Sequence, residues 1–222
     1  MNNISKNNKN PNKLLKIIRD GSMVFSLAGI ALYLSIKYKQ YYLAGIMGAL
    51  ILFTLYFLRD PRRKWNIDSK SIISSADGKV IYAGKGEENL FMGGKCNKVV
   101  IFMNVFNVHR NRAPIEGVIK FYRYNKGGFF PAMKLENLKR NEHNLIGIEG
   151  KNTKCLVSQI AGLVAQRIVF YRQTSDYLKQ TDELGVIRYG SANIIYFPEE
   201  YEITVKPGDK VKAGLDVIGR KK

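Results

Sequence analysis

Ile187-Arg188-Tyr189-Gly190-Ser191-Ala192-Asn193 lies between two short apolar runs near the C-terminus and reads as strand, turn, strand, with Ser191 at the tip. Outward from it, the chain from Trp65 onward is a series of short β-rich runs broken by Gly, Pro, Asn and Asp. Val99–Val105, Gly117–Tyr122, Cys155–Gln159, Asn193–Phe197 and Ile203–Val205 have strand length and β-branched or aromatic content. Leu135–Asn141 carries a modest helical spacing. Ile160–Tyr171 stays open, because Gly162 and the β-branched residues argue against a helix. The expected class is mostly β with few helices (α+β): a β-sandwich or barrel-like catalytic domain over residues 65–222, preceded by an N-terminal transmembrane helical hairpin.

The hairpin is read from hydropathy and flanking charge. Residues 1–20 are rich in Asn and Lys and predict a flexible basic tail. Within 21–64, Met23–Ile36 and Tyr41–Leu58 are apolar and separated by Lys37-Tyr38-Lys39-Gln40. The second run is long enough to span a bilayer's hydrocarbon core, about 20 residues being typical. The first is shorter, and a monotopic or re-entrant segment is the alternative for it. Lys13, Lys16 and Arg19 precede the pair and Arg59, Arg62, Arg63 and Lys64 follow it, which places both ends and the following domain on the cytoplasmic side of a cell membrane.

The chain has 222 residues and a formal net charge of +18, an excess that favours an anionic membrane or a nucleic acid as partner. Nucleic acid is not expected, since neither zinc-ligand spacing nor a helix-turn-helix pattern is present. Two cysteines without a CxxC pair point to reduced thiols, and two histidines are too few for a His-based metal centre.

Two polar clusters complement Ser191. Asp77 sits in Ser75-Ala76-Asp77-Gly78, and His109 follows an apolar run and precedes Arg110-Asn111-Arg112-Ala113-Pro114. An Asp, a His and a Ser distant in sequence suit nucleophilic chemistry. Each alone also reads blandly: Asp77-Gly78 and Gly190-Ser191 as turns, His109 as a half-buried structural residue.

Taken together, residues 60–220 resemble the short, membrane-anchored phosphatidylserine decarboxylases, including their archaetidylserine decarboxylase relatives. The resemblance runs in order through Arg59-Asp60-Pro61-Arg62, Ser75 to Val80, Asn104 to Pro114, Asn141-Glu142-His143-Asn144, Gln159 to Ile168 and Leu184 to Ser191. It implies a carboxy-lyase made as a self-cleaving proenzyme, cut between Gly190 and Ser191 into a β chain (1–190) and an α chain (191–222). It further implies that Asp77 orients and charges His109, and that His109 activates Ser191 to attack the Gly190 carbonyl. An ester then forms and breaks by β-elimination, leaving a covalent pyruvoyl group at residue 191. Through a Schiff base to that group, a serine phospholipid would lose CO2 and become the ethanolamine lipid. The two fragments would stay together as a heterodimer. Arg110, Arg112 and Arg188 are candidates for the substrate's phosphate or carboxylate; no metal is expected.

Two departures stand out. Longer relatives carry a second His where this chain has Arg112, so His109 serves both proton steps or shares them with another group. His143 replaces an Arg usual in its segment.

A competing reading is a membrane-tethered biotinyl/lipoyl-like carrier. The tail Val205–Gly219 resembles the closing repeat of such domains, and Pro131-Ala132-Met133-Lys134-Leu135 resembles a biotin-attachment sequence with Lys134 as acceptor. It leaves Asp77, His109 and Ser191 unexplained.

Overall fold

A computed structural model describes residues 13–64, 67–163, 168–188 and 191–221. The chain forms two compact units, Met1–Pro61 and Arg62–Lys222.

The first unit holds α1 (Lys13–Lys37) and α2 (Tyr41–Phe57). Between them Lys39 takes a positive φ of 59°, which turns the chain. The helix lengths reverse the expectation. With 25 residues, α1 spans about 37 Å at ~1.5 Å per residue, and it is long and apolar enough to cross a bilayer. With 17 residues, α2 reaches only about 25 Å, short of the ~30 Å hydrocarbon core. The expected tail over 1–20 is corrected as well, since residues 13–20 belong to α1. No Pro or Gly interrupts 13–20, and Asp20 is buried and paired with Arg19 at 3.2 Å.

The second unit is built of strands. In chain order these are β1 (Ser71–Ile73), β2 (Gly78–Glu88), β3 (Gly94–Met103), β4 (Arg110–Arg112), β5 (Gly117–Asn125), β6 (His143–Glu149) and β7 (Lys154–Ala161). Then follow β8 (Ile168–Phe170), β9 (Tyr177–Leu178), β10 (Glu183–Ile187), β11 (Ser191–Phe197), β12 (Tyr201–Ile203), β13 (Lys210–Val211) and β14 (Val217–Lys221). An eight-stranded sheet, ordered β13-β2-β3-β11-β7-β6-β5-β9, curls into a half-barrel, with two three-stranded sheets, β4-β10-β8 and β1-β14-β12.

Period-2 alternation explains the core. Val99, Ile101 and Met103 of β3, Cys155 and Val157 of β7, and Ile195 and Phe197 of β11 all face one side. There they meet Ile72, Leu184 and Ile218 from the small sheets. Gly78 begins β2 because the backbones crowd there: a Cβ would overlap the Phe102 carbonyl oxygen. Both cysteines are buried and free. Burial, with the charge of Glu88, pushes the Cys96 thiol up to about 11.

The helical spacing over Leu135–Asn141 yields only a 3-10 turn at Leu135–Asn137. Asn side chains compete for the backbone here. Asn137 Nδ2 donates to the Pro131 carbonyl at 3.1 Å, and Asn141 engages both backbone groups of Phe130 at 2.9 and 2.8 Å. The ambiguous stretch Ile160–Tyr171 ends β7 and supplies β8, while residues 164–167 lie outside the described residues.

One ion pair ties the sheet β4-β10-β8 to itself. Arg110 on β4, 1% exposed, donates from Nη1 to Glu183 Oε1 on β10 at 2.5 Å. Removing one partner of a buried pair strands the other charge. Glu183→Ala is therefore expected to destabilise the fold by about 3–5 kcal/mol, read as a lower denaturant midpoint. An unchanged midpoint would show that Arg110 is solvated and the pair is not structural.

Candidate active site

Ser191 opens β11, where it stands in register with Met103 of β3 and Ala161 of β7, near the middle of the large sheet. It is fully buried. Its Oγ donates to Met103 Sδ at 3.4 Å. A thioether is a weak acceptor, so this contact places the hydroxyl without holding it strongly. Tyr189 and Gly190, the other half of the expected cleavage site, lie outside the described residues.

His109 precedes β4 and is fully buried. The Ile187 N–H donates to its carbonyl at 3.2 Å, which sets the histidine against a residue four positions before Ser191. Its ring Nδ1 lies 3.0 Å from the Asn107 carbonyl. A carbonyl only accepts, so Nδ1 carries a proton, and in the neutral ring the lone pair resides on Nε2. His143 repeats the arrangement, with Nδ1 at 2.7 Å from the Asn141 carbonyl two residues back.

Asp77 lies at the same end of the sheet but has other partners. Its Oδ1 and Oδ2 accept from Arg63 Nη1 and Nη2, each at 2.7 Å, and Oδ1 also accepts the Ala213 N–H at 2.8 Å. Arg63 Nη1 donates in addition to the Ala213 carbonyl at 2.8 Å. Asp77 and Arg63 thus grip both backbone groups of one residue in the C-terminal segment. Among the described residues no hydrogen bond joins Asp77 to His109. The histidine's tautomer is set by the Asn107 carbonyl instead. What links the two is backbone: the Ser75 carbonyl accepts the Arg112 N–H at 2.9 Å.

The arginines differ in kind. Arg110 is engaged by Glu183 in the interior, and Arg112 Nη1 donates to the Thr181 carbonyl at 3.1 Å. Each guanidinium thus has at least one partner within the protein. Arg188 has a buried Nε without a hydrogen-bond partner among the described residues.

An array of amides was not anticipated from sequence. Asn144 Nδ2 donates to Gln159 Oε1 at 3.0 Å, Gln159 Nε2 to Asn111 Oδ1 at 2.7 Å, and Asn111 Nδ2 contacts Met103 Sδ at 3.8 Å. The chain of contacts therefore ends on the sulfur that receives the Ser191 hydroxyl. Asn193, two residues into β11 and in register with Gln159, is fully buried with neither Nδ2 nor Oδ1 partnered among the described residues. Asn144 Oδ1 and Ser75 Oγ are likewise buried and without a partner among the described residues. Each such atom costs about 1–3 kcal/mol, so the cluster fits a polar ligand or reacting group beside residue 191. A usable signal existed: Asn144, Gln159 and Asn193 fall at core-facing parity within apolar strands.

The phosphatidylserine decarboxylase family model matches residues 50–219. This chain belongs to the phosphatidylserine decarboxylase family. The phosphatidylserine decarboxylase proenzyme of Carboxydothermus hydrogenoformans is 41% identical over 182 residues, covering 82% of this chain and 85% of that protein. The proenzyme from Symbiobacterium thermophilum is 37% identical over 205 residues, covering 92% and 95%. A protein of Methanococcoides burtonii named "Putative archaetidylserine decarboxylase proenzyme" is 38% identical over 182 residues, 82% of each chain. The carrier reading finds no support among these phosphatidylserine decarboxylase relatives, and Lys134 precedes a 3-10 turn within a loop.

Family membership implies a pyruvoyl prosthetic group. The buried unpartnered polar atoms around Ser191 fit such a group and its polar substrate. Asn193→Val is accordingly expected to raise stability by about 1–3 kcal/mol while lowering lipid turnover. A destabilised variant with normal turnover would mean that Asn193 is satisfied by structural water and serves only the fold.

Proposed function

We propose that Ser191 is the residue converted to the pyruvoyl group of this phosphatidylserine decarboxylase, and that His109 drives the conversion. As a member of its family the chain is a pyruvoyl-dependent carboxy-lyase made as a proenzyme, removing CO2 from the serine headgroup of a phospholipid. The observation that carries the assignment is local. Among the described residues, a fully buried serine opens a central strand with only a thioether accepting its hydroxyl, and residue 187, four positions earlier, is bonded to the histidine whose Nδ1 is tied to a backbone carbonyl, leaving Nε2 as the base in the neutral ring.

The conversion balances as follows. His109 Nε2 takes the Ser191 hydroxyl proton, and Oγ attacks the carbonyl carbon of Gly190, exchanging the amide for an ester and freeing the amine of residue 191. Loss of the α-proton of residue 191 expels the Gly190 carboxylate from Cβ. Water then adds and ammonia leaves, giving the α-keto acyl terminus. Gly190 becomes the C-terminus of the larger fragment. Asp77 contributes indirectly: with Arg63 it fixes Ala213, in the smaller fragment, against the loop that leads into β2.

When in place, the pyruvoyl group supplies an electron sink for decarboxylation. The surrounding residues orient the lipid headgroup. Arg188 Nε, buried and without a partner among the described residues, is a donor for its carboxylate or phosphate, and Asn193 and Asn144 offer amide groups to its polar atoms. Arg110 and Arg112 hold β10 and the Thr181 turn. His109 Nε2 returns a proton to the carbon left by CO2.

Residues 191–222 supply β11 to β14, so the cut fragments remain paired as one heterodimeric unit. The hairpin anchors the protein in the cell membrane with its basic flanks, and the decarboxylase unit, on the cytoplasmic face. The headgroup chemistry is independent of the lipid tails, and ester- and ether-linked serine lipids both satisfy it.

The test is processing together with CO2 release. Wild-type chain should run as a large and a small fragment and decarboxylate serine lipids with either tail linkage. Ser191→Ala should remain one chain and be inactive, and His109→Ala should slow cleavage by about 10²-fold or more. Normal cleavage of Ser191→Ala would place the cofactor elsewhere; normal cleavage of His109→Ala would remove that residue as the base.

A further inference from the structure

The antiparallel order of the large sheet gathers particular loops at one end. β3 ends at Met103, β7 at Ala161 and β5 at Asn125, while β11 starts at Ser191 and β6 at His143. The segments 104–109, 126–142 and 162–163 therefore border the same sheet end as Ser191. These segments expose large apolar side chains: Phe106 and Leu163 at 65%, Met133 at 60%, and also Phe129, Phe130 and Leu135. At the opposite sheet end Leu90 in the β2–β3 turn and Tyr177 of β9 are exposed.

This apolar rim is constructed. Asn141, fully buried, donates from Nδ2 to the carbonyls of Phe130 and Ala161 at 2.8 and 2.7 Å, and its Oδ1 accepts the Phe130 N–H at 2.9 Å. One buried amide thus latches the 126–140 loop to the end of β7, directly beside Ser191's register partner. Ala132 and Leu138 are buried beneath the loop, while Met133 and Leu135 between them are exposed. The loop carries Lys126, Lys134, Lys139 and Arg140 against Glu136, and Arg140 lies over the Phe130 ring at 4.5 Å. Apolar tips mixed with cations match an anionic interface, where rings enter the acyl boundary and ammonium and guanidinium groups meet phosphates.

We propose that the rim formed by residues 104–107, 126–140 and 163 docks onto an anionic phospholipid bilayer, so that the decarboxylase unit takes its substrate from the membrane through its own loops as well as being tethered by the hairpin. This rests on the proposed function above, in which the substrate is a phospholipid. Charge complementarity selects the occupant: a bilayer surface satisfies the four cations and the six apolar side chains together. The exposed faces are loops of differing sequence on one sheet end, which suits a fluid surface more than a single complementary protein.

Two measurements on the full chain test it. The first uses single cysteines at Phe106, Met133 and Leu163, with Leu90→Cys as control, labelled with an environment-sensitive fluorophore. The native thiols are buried, and burial raises both Cys96 and Cys155, so the introduced cysteines take the label. In phosphatidylglycerol-containing vesicles the rim labels should shift to the blue and be quenched by lipids brominated in the acyl chain, and the Leu90→Cys label should not. Rim labels as water-exposed as the control, or shifted only by a second copy of the chain, would overturn the proposal.

The second compares substrates in the variant Phe129→Ser/Met133→Ser/Leu163→Ser. It should self-cleave and keep its turnover of dispersed short-chain phosphatidylserine, yet lose about tenfold on bilayer phosphatidylserine. An equal loss on both substrates would make the rim part of the site and overturn docking. A wild-type chain that neither cleaves nor decarboxylates either substrate would overturn the functional reading instead, and the label-depth result would still decide the docking surface.

Discussion

The register of β11 is the constraint on which the rest depends. Its first residue is Ser191, and from there it pairs along its length with β3 on one side and β7 on the other. A break immediately before β11 leaves both ladders intact. The same segment goes on to supply β13 at the edge of the large sheet and β12 and β14 beside β1. Cleavage at that point, as proposed, would remove one covalent bond while the hydrogen-bonded sheet continues across it. Sheet pairing of this kind is held by cross-strand contacts rather than by chain continuity, and a new terminus at residue 191 inherits the position of the serine.

Around that position the fold tolerates what a stable core avoids. Among the described residues, Asn193, Asn144 and Ser75 keep buried polar atoms unpartnered, and unsatisfied buried polar groups collect where function opposes stability. The Arg63–Asp77 pair is the counterweight. It is largely excluded from solvent, bidentate, and closed on the backbone of Ala213. In this way a residue expected to charge a histidine secures the C-terminal segment next to the site, and the histidine's tautomer follows from a backbone carbonyl two residues away.

Much of this was legible in the chain because it depends on short-range pattern. Val99, Ile101 and Met103 alternate as strand residues must, and β3, β5, β7 and β11 lie where that alternation predicts. Ser191, His109 and Asp77 are singled out by residue type, order and family resemblance. What escaped was pairwise geometry. Nothing in Asp77's neighbours announces Arg63 or Ala213 as its partners, since one is 14 and the other 136 residues away. Arg110 looked like an anion ligand until Glu183, 73 residues on, closed against it. The helices misled for a related reason: the charged turns of Lys13–Asp20 read as tail, yet they extend α1, while α2 ends at Phe57. Asn137 and Asn141 overrode local helical spacing through bonds to Pro131 and Phe130.

The central claim is that Ser191 is first the attacking group and then the cofactor. It is tested most directly by the intact mass of the small fragment released from purified wild-type protein. The account predicts a fragment spanning residues 191–222 whose mass is lower by one molecule of ammonia than that of the serine-initiated peptide, with a terminus that lacks an amine and reacts with carbonyl reagents. A fragment beginning with an unmodified serine amine, or an uncut chain with full decarboxylase activity, would contradict it.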